Sequence, residues 1–262
     1  MSSNPWNPEQ YLKGTMGDLR TRPVFDLLAR VPVDTATSVY DLGCGPGNST
    51  APLKARWPGA TVTGIDNNPA MLEKARDSFA GITFREADIG TWEPDDPADV
   101  IFANAALHWV PDHARLLARL LGFLRPGGCL AIQQPNNFAA PSHALIGEIA
   151  RDPRFRDRLK GKLLGDFVQD VRFYHDLLRP IADAVDIWET EYAQPLNGAD
   201  PVLEWVRGTA LLPVETNLDR DDFSAFVSVY REKLRTAYPV APDGITLFPF
   251  RRMFIIATGT AA

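Results

Sequence analysis

Between residues 25 and 135 the chain alternates two hydrophobic patterns: short apolar runs bounded by turn residues, and longer stretches whose apolar positions recur every three or four residues. The short runs, "TSVYDLG", "ATVTGID", "ITFREAD", "ADVIFANAA" and "CLAIQQP", are rich in β-branched residues and predict strands. Among the longer stretches, "NPAMLEKARDSFA" opens with Asn68 as N-cap and Pro69 at the first helical position, and sets Met71, Leu72, Ala75 and Phe79 on one face. "DHARLLARLLGFL" takes Asp112 as its cap and carries Leu116, Leu117, Leu120, Leu121 and Leu124, with the "RPGG" turn from Arg125 to Gly128 stopping it. A further helix is expected after Gly47. Regular strand–helix alternation predicts an α/β fold with a parallel sheet covered on both faces.

After Pro135 the rhythm changes. From about 139 to 180 the chain is polar, helical and basic ("RDPRFRDRLKGKLL"), which predicts a solvated helical insertion, with the charge run Arg151 to Lys162 as its wet face. "AVDIWETEY" reads as a strand, "ADPVLEWVRGTALL" and "RDDFSAFVSVYREKL" as helices, and "ITLFPFRRMFIIAT" as a closing strand. The expected organisation is an N-terminal segment (1–30), a core (31–138) and a helical cap (139–262) whose insertions interleave with the last two core strands.

Composition narrows the function. At 262 residues and 45% hydrophobic the chain can bury a large core. A net charge of −6 without a basic stripe argues against a nucleic-acid partner. No stretch approaches the run of about 20 apolar residues that a membrane helix needs, and the N-terminus lacks a signal-like pattern. Cys44 and Cys129 form no metal or CxxC spacing, which suits a reducing cytoplasm. His108, His113, His143 and His175 show no ligand spacing, so no metal site is expected.

The chemistry concentrates in "DLGCGPG", where Gly43, Gly45 and Gly47 crowd one strand-to-helix turn. Glycine weakens a fold unless the backbone must bend or be approached closely, so the turn predicts a ligand at the carboxyl edge of the sheet, facing helical N–H groups that favour an anion. The G-x-G-x-G spacing departs from the dinucleotide fingerprint, and no Walker lysine follows. Asp66, ending the second strand, is placed to accept ribose hydroxyls. Asp88 in "EADI" is placed to accept an adenine amino group while the Ile89 N–H meets a ring nitrogen.

These three motifs, in order and spacing, resemble the class I S-adenosylmethionine-dependent methyltransferases. The resemblance implies a Rossmann-like, seven-stranded, mostly parallel sheet and S-adenosyl-L-methionine as cofactor, with its methionine carboxylate by the glycine turn and Asp41 orienting the amino end. Asn67 and Asn104, beside the motifs, complete the implied cofactor set. Across nearly the whole chain, "WNPEQYL", "RTRP", "DLGCGPGNST", "IFANAALHW", "VDIWET" and "EWV" resemble the trans-aconitate 2-methyltransferases, which esterify a small polycarboxylic acid.

That resemblance implies a carboxylic-acid acceptor and an N-terminal lid bearing Tyr11; a monomer or weak homodimer is expected. Tyr174, Arg207 and Arg251 are then the candidates for holding substrate. His108 and Trp109, following the fourth strand, are the expected catalytic-centre residues. An ionised carboxylate needs no general base, so positioning and exclusion of water carry the rate. Two alternatives stay open: a less highly charged acceptor, since Leu212 stands where that family's arginine is expected, and a cofactor-binding protein without transfer activity.

Overall fold

A computed structural model describes residues 15–163 and 167–259. The elements in chain order are α1 (Thr15–Leu28), β1 (Ser38–Leu42), α2 (Thr50–Arg56), β2 (Thr61–Asp66), α3 (Pro69–Ser78), β3 (Thr83–Glu86), β4 (Ala98–Asn104) and a 3-10 turn (Leu107–Trp109). Then follow α4 (His113–Gly122), β5 (Leu124–Pro135), α5 (Pro141–Ile149), α6 (Arg156–Leu159), α7 (Val171–Leu178), β6 (Ala184–Leu196), α8 (Pro201–Arg207), α9 (Leu212–Asn217), α10 (Arg220–Ala237) and β7 (Thr246–Thr258).

The seven strands form one sheet in the order β3-β2-β1-β4-β5-β7-β6. β1 to β5 pair in parallel and β7 runs antiparallel to β5. The order reverses between β1 and β4, and there the carboxyl ends of neighbouring strands diverge to leave a crevice. The central strands are apolar along their length because both faces are covered: Val39, Leu42, Ile101, Phe102, Leu130 and Ala131 are wholly buried.

The chain divides into two compact units. The first comprises Gly17–Pro135, Phe167–Thr190 and the chain from Arg252 on; the second comprises Asn136 to residue 163 and Glu191–Arg251. β6 and β7 contribute residues to both. In the first unit the caps fall where the sequence set them, with Asn68 accepting from Ala70 and Met71 N–H and Asp112 from Arg115 N–H. Arg30 lies over the Trp188 ring, which stacks on Phe254 at 4.8 Å and 7°.

Three boundaries differ from the sequence reading. Leu124 opens β5 instead of closing α4, and "RPGG" is a shift in the register of β5 against β4. "ADPVLEWVRGTALL" breaks into α8 and α9 around Gly208, since α9 restarts at the Leu212-Pro213 pair and proline at the start of a helix donates no N–H. α7, expected within the solvated insertion, buries Tyr174 and Leu178 in the first unit. The run Arg151 to Lys162 belongs to the second unit, where Arg154 and Arg158 both pair with Asp222 and Arg158 also reaches Asp219. Arg154 and Arg158 therefore have local partners, while Phe155 and Leu159 of the same run are buried.

Candidate active site

The turn after β1 answers why glycines are needed there. Gly43, Gly45 and Gly47 all have left-handed backbone, with φ of 69°, 53° and 90°. A Cβ on Gly43 would lie 2.3 Å from the Ala106 Cβ, so this glycine lets two strand ends approach. A Cβ on Gly45 would meet nothing within 4 Å: above it the backbone faces open space. The Gly45 N–H donates to Asp66 Oδ2 at 2.9 Å, tying the turn to the end of β2.

The expected helical anion site is replaced by a buried acid. α2 is under two turns long, and Ser49 and Thr50 donate their hydroxyls to Asp41 Oδ2 at 2.7 and 2.6 Å instead of capping it. Asp41 is fully buried, and its Oδ1 has no hydrogen-bond partner among the described residues. Burial pushes the acid up to about 6, against the pull of the Thr50 and Ser49 hydroxyls, with the Asp66 charge adding to the rise. An ionised, partly unsatisfied carboxylate in such a place favours a cation.

Around the crevice the second and third strand ends hold their acids by backbone. Asp66 Oδ1 accepts from Asn68 N–H at 2.8 Å and burial raises its pKa, opposed by the N–H groups of Asn68, Gly45 and Asn67. With lone pairs left on both oxygens, Asp66 retains capacity to accept hydroxyls. Asn67 beside it is exposed. Asp88, exposed and two residues past the end of β3, accepts from Gly90 N–H at 2.7 Å. Arg119, a residue that sequence reasoning missed, reaches from α4 to the carbonyls of Ile89 and Trp92 at 2.6 and 2.5 Å and so pins the Asp88–Trp92 loop. Nothing local marks it, because the partner lies thirty residues earlier in the chain.

At the end of β4, Asn104 Oδ1 is buried without a hydrogen-bond partner among the described residues. Ala105 follows at φ 52°, an uncommon backbone for a residue with a Cβ, held by its N–H donating to the Gln133 carbonyl at 2.8 Å. The 3-10 turn then presents His108 and Trp109, whose rings lie 4.7 Å apart. His113 fixes this turn from below. Its Nε2 lies 3.0 Å from the Leu107 carbonyl, which can only accept, so Nε2 carries the proton and Nδ1 accepts from Tyr174 Oη at 2.6 Å. Burial lowers the His113 pKa, keeping the ring neutral.

Tyr174 is thereby corrected as a substrate candidate. Its side chain is wholly buried, its hydroxyl donates to His113 and accepts from Gln169 N–H at 3.1 Å, and it belongs to the first unit rather than to a cap. Tyr11 lies outside the described residues. Arg207 and Arg251 sit in the second unit, half-exposed, with Glu204 at 3.7 Å and Glu191 at 4.0 Å respectively. The next residue behaves otherwise: Arg252 is only 4% exposed and donates from Nη1 to Gln133 Oε1 at 3.3 Å.

Comparison with known proteins accords with this layout. A methyltransferase-domain family model matches residues 39–128, the span from β1 into β5 that carries all three strand-end motifs. The trans-aconitate 2-methyltransferase of Azoarcus sp. (strain BH72) is 46% identical over 252 residues, 96% of this chain and 98% of that one. The trans-aconitate 2-methyltransferase of Streptomyces avermitilis is 48% identical over 263 residues, 96% of each. Among solved structures, the YcgJ protein of Bacillus subtilis superposes with a TM-score of 0.59 at 13% identity, covering 92% of this chain and 99% of that one, which shows a shared fold. With the class I methyltransferase sheet, its glycine turn and near-full-length identity of this order, the chain belongs to the trans-aconitate 2-methyltransferase family of S-adenosylmethionine-dependent enzymes.

Proposed function

We propose that this chain methylates a carboxylate of a small organic acid, trans-aconitate above all, using S-adenosyl-L-methionine. The observation that carries the reading is 46–48% identity along almost the whole chain to enzymes named for that acid, joined to a strand-end site of the matching kind. We place the reaction in the cytoplasm, in a monomer or weak homodimer without a nucleic-acid partner, a reading supported by the acidic charge and two free, buried cysteines. Among the described residues no helix is long and apolar enough to cross a membrane.

The residues present fit the cofactor. Asp41 Oδ1 and Asn104 Oδ1 are buried acceptors that lack donors among the described residues, which an ammonium group would supply. Gly45 leaves its face of the turn open. Asp66 would hold the ribose, with Asn67 beside it, and Asp88 and Ile89 would hold the adenine.

When bound, the cofactor supplies an electrophilic methyl on a cationic sulfur: a carboxylate oxygen bonds to it with its own electron pair while the S–CH3 pair returns to sulfur, leaving a methyl ester and S-adenosylhomocysteine with no proton moved. The chain's contribution is therefore position and charge. Gly43 brings the β1 and β4 ends together, and the glycine turn with Asp41 and Asn104 orients the methionyl end. His113 holds the 3-10 turn, which presents His108 as an orienting donor to the acceptor and Trp109 as a wall that excludes water. Arg207 and Arg251 have carboxylates of their own nearby and receive no role.

The test is calorimetric titration of S-adenosylmethionine into wild type and Asp66→Ala, followed by product analysis with trans-aconitate. Binding weakened in the variant, and a methyl ester formed only when the acid is added, is the expected result. Binding without turnover on the acid would refute the substrate assignment, and no binding would refute the reading altogether.

A further inference from the structure

We propose that Arg119 is the positioning residue for recognition of the adenine base, an inference that rests on the cofactor reading above. The loop after β3 satisfies most of its own polar groups. The Asp88 carbonyl accepts from the Thr91 and Trp92 N–H groups at 3.1 and 2.7 Å, and Asp88 Oδ1 accepts from the Gly90 N–H at 2.7 Å. The carbonyls of Ile89 and Trp92 accept from the Arg119 guanidinium. Among the amides from Ile89 to Trp92, the Ile89 N–H is the one with no hydrogen-bond partner among the described residues, and it adjoins the residue whose second carboxylate oxygen, Asp88 Oδ2, the loop leaves uncommitted.

Peptide planarity makes the guanidinium the cause of that arrangement. Among the described residues there is no cis peptide bond, so each N–H points opposite to the carbonyl of its own peptide unit. Turning the Ile89 carbonyl to Arg119 therefore turns the Gly90 N–H the other way, onto Asp88 Oδ1. Turning the Asp88 carbonyl to the N–H of Trp92, whose own carbonyl Arg119 holds, sends the Ile89 N–H away from the loop interior. Adjacent residues are left with one acceptor and one donor. The amino edge of adenine is the complement, an N–H donor beside a ring-nitrogen acceptor.

The side chain suits the task. Arg119 stands in the last turn of α4, half-buried, with its guanidinium 5.7 Å over the Phe123 ring. Two nitrogens of one rigid plane take two carbonyls three residues apart, which fixes both the position of the loop and the tilt of its peptides. A lysine ammonium is a single point charge on a flexible stem and cannot hold both carbonyls in one fixed geometry.

Calorimetric titration with S-adenosylhomocysteine and with S-inosylhomocysteine, which carries hypoxanthine in place of adenine, tests the assignment. Hypoxanthine would turn a carbonyl to Asp88 and a ring N–H to Ile89, so wild type should bind it at least about 10-fold more weakly. Arg119→Met keeps an unbranched stem and releases both carbonyls: S-adenosylhomocysteine should weaken by about 10-fold and the preference for adenine should shrink to less than about three-fold, with Arg119→Lys intermediate. A merely structural role would lower the urea midpoint and leave the preference intact, because the folded molecules alone bind. A full wild-type preference in Arg119→Met, or in Arg119→Lys should the first variant fail to fold, would overturn the assignment. Wild type that binds both compounds equally would overturn it while leaving the cofactor reading standing, and wild type that binds neither would overturn both.

Discussion

Replacing Asp41 by asparagine isolates the electrostatic cost of a buried acid at the proposed cofactor site. The carboxyl is fully buried and titrates at about 6 instead of 3.8. Below pH 3.8 folded and unfolded chains both hold the proton and the residue is neutral in its effect. As pH rises from 3.8 to 6 the unfolded chain releases the proton while the folded chain keeps it, so stability declines, and the loss is complete above 6. At about 1.4 kcal/mol per pH unit the loss reaches about 3 kcal/mol at pH 7.5.

Asparagine keeps an oxygen for the Ser49 and Thr50 hydroxyls and carries no charge. The apo-protein with Asp41→Asn should therefore match wild type near pH 4 and exceed it by up to about 3 kcal/mol at pH 7.5, about 6–12 °C in Tm for a chain of this size. Scanning calorimetry at pH 4.5, 6 and 7.5 measures the gap. A gap independent of pH, or a variant less stable at pH 7.5, would refute the reasoning. The same charge should serve the cationic cofactor, so wild-type affinity for S-adenosylmethionine should rise as pH passes through about 6, and the variant should lose both the rise and at least about ten-fold in affinity at pH 7.5.

Three further outcomes follow from the same geometry. Gly43→Ala, with its Cβ 2.3 Å from Ala106 and φ at 69°, should destabilise by more than about 2 kcal/mol and abolish cofactor binding, whereas Gly45→Ala meets no atom and should cost only about 1 kcal/mol; paired thermal melts and titrations distinguish them. Tyr174→Phe strands the His113 ring nitrogen and the Gln169 N–H, so urea unfolding should show a loss of about 1–3 kcal/mol while acid and cofactor affinities hold, and a selective rise in KM would restore Tyr174 as a substrate residue. Because an ionised carboxylate needs no base, His108→Gln should lower kcat by less than about ten-fold, and wild type and variant should share a flat kcat profile between pH 6 and 8; an abolished rate, or a wild-type slope that the variant lacks, would mark His108 as a proton carrier.

Much of the site was legible in the chain because its parts are local. A glycine turn, an N-cap such as Asn68 and an acid at a strand end each depend on residues within a few positions, and apolar runs without polar alternation declare a sheet covered on both faces. The motifs at successive strand ends placed a ligand at the carboxyl edge of the sheet, whereas the order β3-β2-β1-β4-β5, which reverses between β1 and β4 and opens the crevice there, is a property of the tertiary structure. Composition added only exclusions.

What only the tertiary structure decided depends on partners far apart in the chain. Tyr174 reads as a substrate-holding residue in a polar stretch until α7 packs against α4 and His113, sixty-one residues earlier, takes its hydroxyl. Arg119 looks like one more surface arginine on a leucine-rich helix until its guanidinium spans two carbonyls of the Asp88–Trp92 loop. Between Arg251 and Arg252 the alternation of a strand says that they face opposite sides, but which side is buried is set by the register with β5, which brings Gln133 to one and leaves water on the other. The sequence by itself determined the glycine turn and the acids at the strand ends, since backbone conformation and caps are specified within a turn of chain; the tertiary structure decided which charges are buried, since burial is a property of what packs across the sheet.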